Sequence, residues 1–182
     1  MLALMIDFPF HYAVALVIFI GASITDLLDG KIARSRGLVT DFGKFLDPLA
    51  DKMLTTAAFL GFIALDIGDG AEWIAFIVLF REFMVSSIRL VAASSSGGKV
   101  IAANIWGKLK TVFQMIAIIF ALTVKQFVEL LVIFGVGAEA LTLITTICSV
   151  ATTVLLWISA ILCVVSGVIY LMDNKDFVKN AK

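Results

Sequence analysis

The segment CSVATTVLLWISAILCVVSGVIYLM, residues 148–172, contains 25 consecutive residues without a charged side chain. A helix needs about 20 apolar residues to cross the hydrocarbon core of a bilayer, so this segment is long enough to span a membrane. Four earlier apolar stretches are also typical of spanning helices: Phe10–Leu28, Phe45–Leu65, Trp73–Ala93 and Ile105–Val124. The sequence therefore predicts an all-α fold, a polytopic transmembrane bundle of about five spans that forms one domain over residues 1–182.

The composition agrees with this prediction. Of the 182 residues, 62% are hydrophobic and 15% are charged, whereas a soluble domain has about 25% charged residues. The 14 basic and 14 acidic side chains balance, and the chain has no basic excess of the kind that nucleic-acid-binding domains use. We therefore expect no nucleic-acid partner. A single histidine also excludes a His-rich metal site.

The segment Lys125–Ile147 does not fit the pattern of a simple span. It is apolar, but Gly135, Gly137 and Glu139 interrupt it, and glycines and charges often mark turns or loops. We expect a loop there with a short interfacial or re-entrant helix.

The basic residues of the connections predict the orientation of the chain. They follow the first and third spans and recur in the C-terminal tail, while residues 66–72 carry none. Because cytoplasmic connections are enriched in Lys and Arg, this alternation predicts a cytoplasmic C-terminus and an external N-terminus. Trp73 and Trp106 lie at span ends, as interfacial aromatics do. Trp157 falls in the middle of a span and does not follow that rule.

Ten of the charged residues fall within residues 26–52. Four of them are aspartates at helical spacing, Asp26 and Asp29 at the end of the first span and Asp47 and Asp51 at the start of the second. Residues three or four apart share a helix face, and a short connection brings the two span ends to one membrane surface. Four carboxylates are therefore expected to converge at the cytoplasmic mouth of the bundle.

Carboxylates that converge repel one another and become tolerable when divalent cations bind between them. Oxygen ligands without His or Cys suit Mg²⁺ or Mn²⁺, and a pair of such ions is a known clamp for phosphoryl displacement. Gly30 leaves room for a ligand beside the acidic pair, and Arg34 could hold a phosphate. A solvated loop with paired charges is the alternative, but it does not explain carboxylates on helices that are apolar further in.

A second polar set lies further along the chain. Arg81 and Arg89 fall within the third span, and Lys108 and Lys110 lie one turn into the fourth. Cations within spans suggest a basic pocket for an anionic substrate, such as a phosphorylated small alcohol. The alternatives are that the two lysines extend to the membrane interface and that Glu82 pairs with a neighbouring cation.

The pattern D-x2-D-G-x2-A-R-x8-G-x3-D-x3-D, which begins at Asp26 and ends at Asp51, resembles the signature of the CDP-alcohol phosphatidyltransferases. The resemblance implies a helical membrane enzyme with two divalent ions, Mg²⁺ or Mn²⁺, a CDP-linked lipid donor and CMP as the leaving group. It implies that Asp51 is the general base. The metal ligands that it implies are Asp26, Asp29, Asp47 and Asp51, and the CDP-binding residues are Asp26, Gly30, Ala33 and Arg34.

Within that family, four segments resemble the bacterial phosphatidylglycerophosphate synthases: DFGKFLDPLADK at 41–52, Arg81-Glu-Phe followed by Arg89, IWGKLKT at 105–111 and SGVIY at 166–170. This resemblance implies CDP-diacylglycerol as donor and sn-glycerol 3-phosphate as acceptor. It implies an integral protein of the bacterial plasma membrane, in contact with membrane lipid, with the active site facing the cytoplasm and a homodimer as the candidate assembly. The candidate contacts of the acceptor phosphate are Arg81, Arg89, Lys108 and Lys110.

Two other functions stay open on the sequence. A sibling phosphatidyltransferase would use another alcohol, such as inositol phosphate or serine. A divalent-cation transporter would carry acidic residues at mid-membrane, whereas these lie at one face. Members of the family usually have six spans, and we expect this chain to lack the first, as a truncated or natural variant.

Overall fold

The structure is a computed structural model that describes residues 2–6, 8–35, 41–94 and 105–174, with backbone only at 27, 29–31, 33–35, 41–51 and 90–94. The described ranges contain six helices and no strand, which confirms the all-α prediction. The helices are α1 (Leu2–Met5), α2 (His11–Ser35), α3 (Asp41–Ala64), α4 (Ala71–Ser94), α5 (Ile105–Ile133) and α6 (Ala138–Asp173).

Each of the five predicted spans corresponds to one of the helices α2 to α6. Among the described residues, α5 and α6 are long and apolar enough to cross a membrane, and α2 and α3 contain shorter apolar stretches at His11–Asp26 and Lys52–Ala64. The chain is a membrane protein with a helical bundle, and the number of five spans stays a prediction.

The helices pack around an apolar centre. Phe59 and Phe62 of α3, Ile74 of α4, Ile118 of α5 and Leu156 of α6 are almost completely buried. The outward faces are also apolar, and on α4 the side chains of Phe76, Phe80 and Phe83 are each about three-fifths exposed. A bundle that is apolar on both its inner and outer faces is suited to a lipid environment.

The prediction for Lys125–Ile147 was wrong. The helix α5 continues to Ile133, a tight turn follows, and α6 begins at Ala138. Gly135 has a φ of 70°, and the amide of Val136 donates to the carbonyl of Leu131, which is the Schellman ending of a helix. The glycine therefore ends one long helix and permits the next, where a loop with a short interfacial or re-entrant helix had been expected.

The turn between α3 and α4 explains the position of Trp157. The Trp157 indole donates to the carbonyl oxygen of Asp69 at 3.1 Å, and the amide of Asp69 donates to Thr153 Oγ1 at 3.1 Å. Trp157 lies in the middle of α6, but these contacts place it beside the turn. The indole supplies a polar contact at the end of the α3–α4 pair.

Candidate active site

The two ends of the bundle differ in chemistry, and we name them by their residues. The motif end is where α2 ends and α3 begins, and the turn end contains residues 65–70. At the turn end, the first turn of α2 is held by α5, since the amide of Ala13 donates to Gln126 Oε1 at 2.8 Å. Thus α2 and α5 run in opposite directions, and α5 begins at the motif end.

The motif aspartates lie on two helices that pack against each other. Asp26 is exposed on α2, and the backbone of Asp29 continues the same helix. Asp47 and Asp51 lie in the first half of α3. The predicted side-chain roles of Asp29, Gly30, Ala33, Arg34, Asp47 and Asp51 lie outside the described side chains.

The predicted metal ligands are Asp26 and Asp29 on α2 and Asp47 and Asp51 on α3, and Mg²⁺ and Mn²⁺ prefer such carboxylate oxygens. Among the side chains that the structure describes, no group of three or more His, Cys, Asp or Glu residues could hold a metal ion, so the metal site stays a prediction. One residue after Asp51, Lys52 Nζ donates a hydrogen bond to Ser86 Oγ of α4. This bond connects α3, which carries Asp47 and Asp51, to α4, which carries Arg81 and Arg89.

The structure brings two of the four predicted cations together around one carboxylate. Glu82 of α4 accepts a hydrogen bond from Lys110 Nζ of α5 and one from Arg81 Nη1, the latter at 3.3 Å. Arg81 and Lys110 are only 7% and 6% exposed. Lys110 is therefore held inside the bundle and does not extend to the interface, and the pairing that the sequence allowed for Glu82 is present.

Two glycines on neighbouring helices leave space for the Arg81 side chain. A Cβ atom on Gly167 of α6 would lie 3.0 Å from Arg81 Cγ, and one on Gly107 of α5 would lie 3.8 Å from Arg81 Nη2. Since real Cβ contacts are seldom as short as 3.0 Å, a side chain at position 167 would require Arg81 to shift by a few tenths of an ångström. The guanidinium thus lies between α5 and α6.

The other two predicted cations lie nearer the surface. Arg89 is exposed, and its Cζ atom lies 5.5 Å from the ring centre of Tyr170, in a cation–π contact. Lys108 is exposed on the first turns of α5. The described part of the chain therefore divides the basic set into a buried pair that shares Glu82 and an exposed pair.

Sequence reasoning did not identify Tyr170, Gly167 or Ser86 as parts of this site. The signals available for Tyr170 and Gly167 were the resemblance of the segment 166–170 to the phosphatidylglycerophosphate synthases and their spacing of three on α6, which places them on one helix face. Nothing in the sequence indicated that this face of α6 packs against Arg81. Ser86 offered no signal, because a serine in an apolar helix commonly bonds to its own backbone.

The chain can be assigned to a class of proteins. The sequence profile of the CDP-alcohol phosphatidyltransferases matches residues 1–165, a range that contains the acidic motif, Glu82 and the buried cations. This chain belongs to the CDP-alcohol phosphatidyltransferase family and is a transferase of the membrane.

Individual relatives are similar over most of the chain. A protein of Bacillus subtilis named CDP-diacylglycerol–glycerol-3-phosphate 3-phosphatidyltransferase is 38% identical over 95% of this chain and 79% of its own length. A protein of Rickettsia bellii with the same name is 32% identical over 94% of this chain and 84% of its own. A probable phosphatidylglycerophosphate synthase of Mycobacterium tuberculosis is 44% identical over 58% of this chain and 48% of its own.

Proposed function

We propose that this protein transfers the phosphatidyl group of CDP-diacylglycerol to sn-glycerol 3-phosphate, which yields phosphatidylglycerophosphate and CMP. The observation that carries the proposal is the 38% identity, over 95% of the chain, to a relative named for this reaction. The protein would act in the bacterial plasma membrane with its motif end towards the cytoplasm, the side on which the Lys and Arg of the connections are concentrated.

In the proposed reaction, Asp51 accepts the proton of the sn-1 hydroxyl of glycerol 3-phosphate. The resulting alkoxide oxygen forms a bond to the lipid-side phosphorus of CDP-diacylglycerol. The bond from that phosphorus to the CMP oxygen breaks, and CMP leaves with the electron pair. Gly30, Ala33 and Arg34 would line the pocket for the CDP portion of the donor.

Asp26, Asp29, Asp47 and Asp51 would hold two divalent ions, Mg²⁺ or Mn²⁺. When bound, such ions neutralise charge on the diphosphate and on the oxygen that leaves. The carboxylates themselves set the oxygen-only ligation that favours these cations over Zn²⁺.

The buried basic residues favour an acceptor that carries a phosphate. Arg81 and Lys110 share the single negative charge of Glu82, so the cluster has a net charge of about +1 with all three groups ionised. Arg89 adds a further positive charge beside it. A dianionic phosphate complements this charge, whereas serine, the acceptor of a sibling reaction, has no phosphate.

The test is an acceptor screen with the full chain purified in detergent micelles. CMP release from CDP-diacylglycerol is measured with sn-glycerol 3-phosphate, inositol phosphate or serine, each with Mg²⁺, with Mn²⁺ and with EDTA. We expect release with glycerol 3-phosphate and its loss with EDTA. Release with another alcohol in preference to glycerol 3-phosphate would refute the proposed acceptor, and full release in EDTA would refute the metal requirement.

A further inference from the structure

The hairpin formed by α5 and α6 extends beyond the turn between α3 and α4. The amide of Asp69 in that turn donates to Thr153 Oγ1, and the indole of Trp157 donates to the carbonyl oxygen of Asp69. Thr153 lies about 22 Å of helix after Ala138, the first residue of α6, so the turn meets α6 far from its beginning. We call residues 130–150, which lie beyond the turn, the projection.

The surface of the projection is apolar. Its exposed large side chains are between 56% and 77% exposed, and they are Val132, Ile133, Phe134, Leu143, Ile147 and Val150. Glu139 is the only charged residue in this part of the sequence. Soluble proteins rarely expose an apolar surface of this extent to water, so the projection requires an apolar partner.

The threonines of the projection do not require water. Thr142, Thr145 and Thr146 are exposed, and each hydroxyl donates to the carbonyl oxygen four residues earlier, at 2.9, 2.7 and 2.8 Å. Polar groups in the hydrocarbon of a bilayer must find their partners within the protein. These three side chains meet that requirement.

The exposed face of the projection continues along the rest of α6. Six aliphatic side chains, each about half exposed or more, follow one another at spacings of three, four or seven residues: Leu143, Ile147, Val150, Val154, Ile161 and Val168. Such spacings place them in one stripe. Because the chain is a membrane protein, the later part of this stripe faces lipid chains. The stripe does not change in composition at the level of the turn, so the same environment continues over the projection.

The lengths of the helices locate the membrane along α6. The uncharged run 140–172 is about 50 Å long in a helix and the hydrocarbon core is about 30 Å thick, so one end of the run lies outside the core. The last turns of α6 lie against Arg81 and Arg89 at the motif end, so this charged end is the one that leaves the core. From Lys110 to Ile133, α5 is about 35 Å long and crosses the core at a tilt of about 30°, within the range of spanning helices.

The side of the bundle that contains α3 is shorter. The apolar stretch Lys52–Ala64 of α3 is about 20 Å long, about 10 Å less than the hydrocarbon core. If the α5–α6 hairpin fills the core, the turn at 65–70 lies below the boundary of the core at the turn end. Bilayers thin locally beside short apolar segments, which keeps Asp66 and Asp69 in contact with water or lipid headgroups.

We propose that the projection is a lipid-binding surface embedded in the hydrocarbon of the leaflet at the turn end, and that the turn at 65–70 is recessed below the surface of that leaflet. The partner is the acyl chains of the surrounding phospholipid, because the exposed stripe is continuous with the lipid-facing side of α6. The bilayer is therefore thinner beside α3 and α4 than beside α5 and α6. This proposal uses the membrane location of the chain and does not depend on the acceptor or on the reaction.

The first test measures the surroundings of spin labels along the stripe, with the full chain in vesicles of dioleoylphosphatidylcholine. The labelled variants are Glu139→Cys, Leu143→Cys and Ile147→Cys, made in a chain that carries Cys148→Ala. Cys163 is retained, since it is 0% exposed. Oxygen concentrates in hydrocarbon and a water-soluble nickel chelate stays in water, so the ratio of their effects on a label reports its depth.

The three labels lie about 6 Å apart along α6. We expect the oxygen-to-nickel ratio to rise from position 139 to position 147, where it should approach that of Ile161→Cys, the reference for hydrocarbon. Since Thr153 lies further along α6 than Ile147, a hydrocarbon environment at Ile147 also places the turn below the leaflet surface.

Two results would overturn the proposal. Labels at 143 and 147 that respond to nickel as strongly as the label at 139 would place the projection in water. Labels at 143 and 147 that respond to neither reagent would show that a protein surface, such as a second copy of this chain, covers the stripe.

The second test requires no label. Ile147→Lys places a charge in hydrocarbon if the projection is embedded, which is costly, whereas Glu139→Lys stays at the boundary. We expect Ile147→Lys to lower the Tm of the chain in the same vesicles and Glu139→Lys to leave it unchanged. Equal Tm values for the two variants would contradict the proposal. If Ile147→Lys fails to fold, Ile147→Asn replaces it, with the same expected order.

Both tests proceed without substrate, which separates this proposal from the proposed function. A chain that releases no CMP still supports the embedded projection if its labels at 143 and 147 lie in hydrocarbon. A chain that releases CMP with glycerol 3-phosphate still contradicts it if those labels lie in water.

Discussion

The interior between α4, α5 and α6 has an apolar half and a charged half. Towards the turn end, Ile74, Ile118 and Leu156 are completely buried and belong to the apolar core cluster. Towards the motif end, the same three helices bury Arg81 and Lys110 against Glu82. Removing charges from water is costly and is only partly offset by pairing. Apolar packing would have been enough to join these helices, so the charged half points to a function.

The largest expected effect is the loss of turnover in Asp51→Asn at the motif end, compared with a variant at the turn end. The amide cannot take a proton from the acceptor and is a weaker metal ligand, so we expect kcat to fall by about 10³-fold. The control is Asp69→Asn at the turn end, where the backbone of Asp69 makes the contacts to α6 and the side chain is not required. CMP release measures both variants. Substantial turnover by Asp51→Asn would remove the assignment of this residue as the base.

A large effect on stability is expected for Glu82→Gln. The substitution leaves Arg81 and Lys110 buried without a negative charge, and breaking a buried ion pair costs about 3–5 kcal/mol. The comparison is Glu129→Gln at the turn end, where the carboxylate is 25% exposed and 4.0 Å from His11, so the loss should be below about 1 kcal/mol. Unfolding in detergent measures both.

The double variant Glu82→Gln with Lys110→Met supplies the control for this prediction. It removes one of the unpaired charges together with the carboxylate, so it should recover part of the lost stability. If Glu82→Gln were as stable as Glu129→Gln, the buried cluster would not be an ionic one, and the contrast between the two halves would fail.

The smallest effects are expected for alanine substitutions at two glycines. One substitution should change the acceptor KM, and the other should change only the stability. In Gly167→Ala the new Cβ would lie 3.0 Å from Arg81 Cγ, so we expect a loss of about 1 kcal/mol and a several-fold rise in the acceptor KM. In Gly68→Ala the φ of 84° and a distance of 2.6 Å to Leu156 Cδ1 should cost about 1–3 kcal/mol, with the acceptor KM unchanged. Unfolding and acceptor titration are measured on both. A rise in KM for Gly68→Ala alone would reverse the assignment of function to the motif end.

Much of the fold could be predicted because apolar length is a local property of the sequence. Each of the helices α2 to α6 corresponds to an apolar stretch. The error at Lys125–Ile147 arose because Gly135 and Gly137 were interpreted as signs of a broken segment. A glycine with positive φ can equally end one helix so that another begins three residues later, and local sequence does not distinguish the two cases.

The site was predictable to the extent that it depends on spacing along one helix. The aspartates share a motif with fixed intervals, and Arg81 and Lys110 stand out as cations in apolar helices. The pairing of Lys110 with Glu82 joins residues 28 positions apart, and the contact between Arg81 and Gly167 joins residues much further apart in the chain. Such contacts depend on how helices pack, which no local pattern encodes.

The sequence by itself determined that the chain is a helical membrane protein with an acidic motif at one end, because hydropathy and residue spacing act within single segments. The tertiary structure decided which charges are buried and which are exposed. It placed Lys110 inside the bundle and Lys108 outside, although they are two residues apart. It also brought Arg81 against α6, close to Tyr170. The physical reason is that burial and pairing are properties of neighbouring helices, and those neighbours exist only after the helices have packed.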